Sequence, residues 1–221
     1  MTEGRWMDFA QARRTMVDCQ VRTQGVTDPR IIAAMDDMPR ELFVSEKHRS
    51  LAYLDKDLAL TEGLQARAMI QPATFARMVQ AAGLLKSDHV LDVGSGTGYG
   101  AAVLAHIARS VVALESDPVL AGRAENILKT LAPHVRVVLA PLDSGVARHA
   151  PYDVILVEGS VEAVPTKLGN QLKPGGRMVC VVRNGSFGHV MLYVKTGSDL
   201  TGRPVFDADA PLLPGFASRK V

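Results

Sequence analysis

Residues 90 to 100 read Val-Leu-Asp-Val-Gly-Ser-Gly-Thr-Gly-Tyr-Gly, and no other stretch limits the possible folds as tightly. Val90, Leu91 and Val93 make a short β-rich apolar run, which suits a strand buried on both faces of a parallel sheet. Asp92 interrupts it. A carboxylate inside such a strand is costly unless it lies at the strand's carboxyl end with partners, and that end is where open α/β sheets bind ligands. Gly94, Gly96 and Gly98 follow, which allows positive φ and lets backbone N–H groups come close to a ligand. Residues 99 to 108 are alanine-rich and read as a helix. Strand, glycine turn and helix open a dinucleotide-type α/β fold.

The glycine spacing leaves two ligand classes. Nicotinamide and flavin proteins favour G-x-G-x-x-G. From Gly94 the third glycine would fall on Tyr99, whereas from Gly96 the permitted variant ends on Ala101, so an oxidoreductase stays open on spacing. The D-x-G-x-G-x-G pattern that starts at Asp92 resembles the first motif of S-adenosylmethionine-dependent methyltransferases. That resemblance implies that Asp92, Gly94, Ser95, Gly96 and Gly98 surround the amino-acid end of the cofactor. The run 110 to 115 is a second strand ending in an acid, 23 positions after Asp92. An acid so placed is positioned for ribose hydroxyls, so Glu115 and the adjoining Ser116 join the candidate cofactor residues. Asp117 reads as a helix N-cap before Pro118.

At 221 residues, 47% hydrophobic and 22% charged, the chain can bury one sizeable core. Its net charge of +2 is too small to predict binding to nucleic acid or to an anionic membrane. Arg13 with Arg14, and Arg219 with Lys220, read as solvated charges. No run approaches the roughly 18 apolar residues of a membrane span, and Glu3, Trp6 and Asp8 leave no signal-peptide core, which predicts a cytoplasmic protein. Cys19 and Cys180 stand far apart and are expected to be buried thiols. The histidines are scattered, so no metal site is expected.

Along the chain, residues 7 to 21 place Phe9, Met16 and Val17 at roughly helical spacing, predicting an amphipathic helix that covers the core. Thr27-Asp28-Pro29 opens a second helix that Pro39 stops, and Pro72 starts a third over 72 to 82. Further strands are predicted at 135 to 139, 154 to 157, 177 to 182 after a Lys173-Pro174-Gly175-Gly176 turn, 189 to 194 and 204 to 206. Phe206, Leu212, Leu213 and Phe216 predict that the proline-rich tail packs onto the domain.

Several stretches stand in a familiar order: Pro39-Arg40-Glu41-Leu42-Phe43-Val44, Ala52-Tyr53-Leu54-Asp55, Gln71-Pro72, the motif at 90 to 100, Glu115, Ala150-Pro151-Tyr152-Asp153, Pro165 and Gln171 to Gly176. Together they resemble the protein-L-isoaspartate O-methyltransferase family over roughly residues 16 to 195. The resemblance implies a class I methyltransferase fold, doubly wound and Rossmann-like, with a mostly parallel seven-stranded sheet. Residues 1–71 would form an N-terminal helical extension on the substrate side and residues 72–221 the cofactor-binding core. It also implies S-adenosyl-L-methionine as cofactor, S-adenosyl-L-homocysteine as product, and isoaspartyl-containing proteins as substrate.

This chain departs from the family's pattern twice. Where the family shows T-I-S-Q-P, it reads Ala68-Met69-Ile70-Gln71-Pro72, so Ile70 replaces a hydroxyl with hydrocarbon and would confront a carboxylate with an apolar wall. Ile70 and Gln71 remain the substrate-side candidates. Where the family continues G-D-G after the third strand, Ala140-Pro141-Leu142 stands, with Pro141 at the acid's place. Leu142 could offer backbone groups to an adenine and Asp143 a carboxylate, or Asp143 could serve only the loop. Glu158, at the end of the strand 154 to 157, is the one acid on the transfer side, acting on substrate or holding backbone. Methyl transfer to a carboxylate needs no base, only alignment. A different acceptor served by Glu158 or Asp143, and a non-catalytic binding module, remain as alternatives.

Overall fold

The computed structural model describes residues 7–63, 66–185 and 187–217; Glu3, Trp6, Arg219 and Lys220 fall outside them. In chain order the elements are α1 (Phe9–Met16), α2 (Pro29–Asp37), β1 (Leu58–Ala59), β2 (Ala68–Met69), α3 (Pro72–Ala82), β3 (His89–Val93), α4 (Tyr99–Ala105), β4 (Ser110–Glu115), α5 (Pro118–Leu131), β5 (Arg136–Leu139), β6 (Tyr152–Val161), α6 (Thr166–Gly169), β7 (Leu172–Asn184), β8 (Phe187–Thr196) and β9 (Asp199–Asp207). Seven strands form one sheet in the order β5-β4-β3-β6-β7-β8-β9. The first five are parallel, and β8 and β9 close the edge antiparallel.

The chain winds outward from β3 through β4 to β5 and returns to β6 on the other side of β3. The gap between the carboxyl ends of β3 and β6 is therefore the topological switch point, where such sheets open a crevice. Asp92 and Glu158 lie on its two sides. Leu91, Val93, Ile155 and Val157 have no exposed surface, which is why both strands read as continuous apolar runs.

Local chemistry sets the helix ends. Asp28 accepts from Arg30 N and Asp117 from Val119 N and Leu120 N, each just before a first-turn proline. Helix α3 starts at Pro72 and ends on Gly83 with φ 58°. Arg177 then donates from Nε to Ala82 O at 2.7 Å, tying that end to β7.

Three expectations change. The N-terminal helix leaves α-geometry after Met16 and continues as a π-helical turn over Val17–Val21. That wider turn carries Val17 and Val21 inward, so Cys19 faces solvent rather than lying buried, while Cys180 is enclosed. The Lys173–Gly176 turn does not precede the strand. It lies within β7 as a register shift between Tyr152↔Leu172 and Val154↔Arg177, with Gly175 at φ 76° absorbing the extra residues.

Met16, Val17, Val21, Ile31 and Met35 share one apolar cluster with Phe75, Tyr99 and Val154, so the N-terminal helices pack directly on one face of the sheet. On the other face, Gln171 bridges the loop that follows β5: its Oε1 accepts from Val146 N at 2.9 Å and its Nε2 donates to Ser144 O at 2.8 Å. Gln171→Leu keeps the volume and leaves both backbone groups unpaired, which should lower stability by about 1–3 kcal/mol in urea unfolding.

Candidate active site

The turn after β3 places Gly94, Gly96 and Gly98 at φ 79°, 57° and 94°, all in the left-handed region. Gly96 is the tightest point, since a Cβ there would lie 2.6 Å from Leu60 Cδ1. Thr97, between the glycines, donates from Oγ1 to Phe43 O at 2.5 Å, which fastens the turn to the Pro39–Val44 stretch.

Three acids stand at the strand ends around this turn: Asp92 and Glu115 have no exposed surface and Glu158 has 5%. Glu115 is densely partnered. Its Oε1 accepts from Arg67 Nη1 at 2.6 Å, Ser116 N at 2.7 Å and Asp117 N at 2.9 Å, and its Oε2 from Gly96 N at 2.8 Å. The expected ribose acceptor thus already holds a guanidinium, and Oε2 keeps the spare capacity. Arg67, itself 3% exposed, also donates from Nη2 to Gly94 O at 2.9 Å, so it clamps the acid to the glycine turn.

Asp92 and Glu158 form the opposite case. They share a hydrogen bond, which two carboxyl groups make only when one keeps its proton. Apart from that contact, neither Asp92 oxygen finds a donor. Burial pushes the Asp92 acid up to about 7, reinforced by the charge of Glu115, and burial followed by the Asp92 charge holds Glu158 well above the usual carboxylate range. Ser95 Oγ is likewise buried without a partner.

Beside Glu115 opens a cleft of ≈ 410 Å³ between Ser116 and Pro118 on one side and Pro141, Leu142 and Asp143 on the other, with Pro214 and Gly215 of the tail above. A second cleft of ≈ 370 Å³, lined by Thr61, Glu62, Arg67 and Asp117, adjoins it through Ser116, Pro118 and Pro214. Leu142 is buried, while Asp143 is partly exposed and pairs with Lys167 at 2.8 Å, whose ammonium holds its carboxyl below the usual range.

Asp92, Gly94, Ser95, Gly96, Gly98 and Glu158 are thus brought together at the switch point, with Glu115, Ser116, Leu142 and Asp143 leading away along the clefts. The two substrate-side candidates turn elsewhere. Ile70 is 1% exposed in the apolar cluster around Phe75, and only its carbonyl is engaged, by Arg40 Nη2 at 2.7 Å. The apolar wall facing Glu158 consists of Leu60, Ala68 and Met69 instead. Gln71 points its Nε2 at Thr74 Oγ1 at 2.6 Å across the first turn of α3. Sequence reasoning missed Arg67, which sits in no motif, and gave no role to Arg40 or Tyr99, although both lie in stretches it had marked.

A parallel sheet with strand-end acids around a glycine turn, and an adjoining apolar cleft, defines a class I S-adenosylmethionine-dependent methyltransferase. The model of the protein-L-isoaspartate(D-aspartate) O-methyltransferase family matches residues 12–205, and the chain belongs to that family. A protein-L-isoaspartate O-methyltransferase of Roseiflexus castenholzii is 37% identical over 214 residues, 96% of each chain. Protein-L-isoaspartate O-methyltransferase 2 of an Anaeromyxobacter species is 41% identical over 184 residues, 82% of this chain and 73% of that one. A solved protein-L-isoaspartate O-methyltransferase superposes with a TM-score of 0.82 at 28% identity, covering 92% of this chain and 66% of the longer one. A Plasmodium falciparum β-aspartate methyltransferase structure in complex with S-adenosyl-L-homocysteine shares the fold, with a TM-score of 0.77 at 17% identity. The nicotinamide alternative falls away with this membership.

The raised acids make stability fall with pH. Below the ordinary carboxylate range both folded and unfolded chains hold these protons. As pH rises toward 7 the unfolded chain releases them while the fold retains them, so stability is lost across that window. Asp92→Asn should therefore raise the melting temperature of the ligand-free protein by a few degrees at pH 8 and by less at pH 5. The stabilisation that S-adenosyl-L-homocysteine confers should shrink in the same variant.

Proposed function

We propose that this protein transfers a methyl group from S-adenosyl-L-methionine to the α-carboxylate of isoaspartyl residues in damaged proteins. The observation that carries the reading is the glycine turn set between Asp92 and Glu115, with the ≈ 410 Å³ cleft beginning at Ser116, the residue after Glu115. Its chemistry matches the cofactor from end to end. Asp92 and Ser95 offer buried polar atoms with unused capacity to a cationic amino-acid end. Glu115 Oε2 suits a ribose hydroxyl, and the cleft walled by Pro118, Pro141 and Leu142, with Asp143 at its rim, suits a flat aromatic base.

The cofactor supplies an electrophilic methyl on a sulfonium. The chain's own part is to hold and align. Arg67 fixes Glu115 against the glycine turn, and Thr97 fixes that turn against Phe43, so the cradle is set before ligand arrives. Leu60, Ala68 and Met69 exclude water over the turn, which strengthens each polar contact beneath them. A carboxylate acceptor is already a nucleophile, and an in-line approach at about 3–3.5 Å is the main requirement. This agrees with the absence of a His-carboxylate pair among the polar contacts described for this site.

The test is methyl transfer from labelled cofactor to paired peptides that differ only in aspartyl or isoaspartyl linkage, read as base-labile methanol. Labelling confined to the isoaspartyl peptide is the expected result. No labelling of either, by protein that S-adenosyl-L-homocysteine stabilises, would end the reading.

A further inference from the structure

Three side chains around the end of β6 carry polar atoms that are buried and without a hydrogen bond of good geometry: Nη1 of Arg40, the hydroxyl of Tyr99 and Oε1 of Glu158. Their residues are 0%, 2% and 5% exposed. A buried polar atom left unpaired is costly, and three in one place call for a common partner. The three are neighbours. The Arg40 guanidinium carbon sits 4.6 Å from the Tyr99 ring centre, and the Glu158 carboxyl is close enough to both to influence their ionisation.

The arrangement is built rather than incidental. Arg40 is pinned by its other nitrogens, Nε to Ala52 O at 3.0 Å and Nη2 to Ile70 O at 2.7 Å, which leaves Nη1 as the nitrogen with no well-aligned acceptor. The Tyr99 ring packs edge-on against Phe43, with centroids 5.5 Å apart. Glu158 lies over Gly100, where a Cβ would come within 1.5 Å of Oε1, so the second residue of α4 has to be glycine for this carboxyl to take its place.

We infer that Arg40, Tyr99 and Glu158 form the subsite that receives the acceptor's carboxylate. The inference rests on the activity proposed above and assigns its substrate contacts. The charge balance fits an anion. Arg40 brings a positive charge and an N–H, Tyr99 brings an O–H, and the proton that Glu158 shares with Asp92 spares the site one negative charge. The other groups facing Glu158 are Asp92, with which it shares its proton, and Arg67, whose charge is matched by Glu115. A neutral hydroxyl or amine acceptor would gain less from a fixed guanidinium than a carboxylate does.

Steady-state methylation of an isoaspartyl peptide by the full-length protein tests this, alongside S-adenosyl-L-homocysteine affinity and melting temperature. Tyr99→Phe removes only a poorly aligned contact with Arg40 from the free protein, so its melting temperature should hold while the peptide KM rises about 5- to 20-fold. Its kcat and product affinity should stay within about twofold. Glu158→Gln keeps a donor in the same place and should stay within about threefold of the parent, whereas Glu158→Ala should raise KM about tenfold or more. Unchanged peptide KM in Tyr99→Phe, or equal impairment in Glu158→Gln and Glu158→Ala, would overturn the subsite while leaving the activity standing. A parent protein that binds S-adenosyl-L-homocysteine and leaves the isoaspartyl peptide unlabelled overturns both.

Discussion

The burial of carboxyl groups at the carboxyl ends of β3, β4 and β6 is the constraint around which this molecule is arranged. An isolated carboxylate in such a place is prohibitively costly, and the fold meets that cost in two ways. Glu115 is held by a guanidinium and three backbone N–H groups, all but one of them on Oε1, which leaves room on Oε2. Asp92 and Glu158 instead divide one proton between them. The first solution is rigid and balances the charge. The second is unfinished in the ligand-free protein, and what remains unsatisfied is the capacity a cation and an anion would use.

This division explains where the stability of the site resides. The Arg67–Glu115 pair is dry and doubly fastened, so removing either partner would strand a buried charge. The pair belongs to the scaffold even though it borders the clefts. Asp92, Ser95, Tyr99 and Glu158 form the under-satisfied portion, whose unpaired buried polar atoms cost the fold stability.

Much of the sheet was legible in the sequence because its strands are buried on both faces. Ser110–Glu115 and Pro72–Ala82 match their predicted spans, β3 and β6 contain theirs, and β5 starts one residue later than predicted. The acid–glycine turn was legible for a related reason, since close backbone approach and positive φ leave few residue choices. What could not be read depends on long-range packing. Nothing local in Ala66-Arg67-Ala68 announces that Arg67 meets an acid 48 positions later. Ile70 attracted attention as a changed letter in a family motif, yet its side chain points into the core and the neighbouring Met69 faces the turn. Cys19 was misplaced because a π-helical turn shifts which positions face inward, and periodicity reasoning assumes a constant pitch.

The bond from Thr97 Oγ1 to Phe43 O joins two parts of the chain that would otherwise be judged separately. Phe43 packs on Tyr99 and follows Arg40 by three residues, while Thr97 belongs to the turn at the cofactor side. A shift of either one is mechanically felt by the other. The Pro39–Val44 stretch and the glycine turn are therefore one mechanical unit, and a substitution that repacks Phe43 also moves the anchor of the turn.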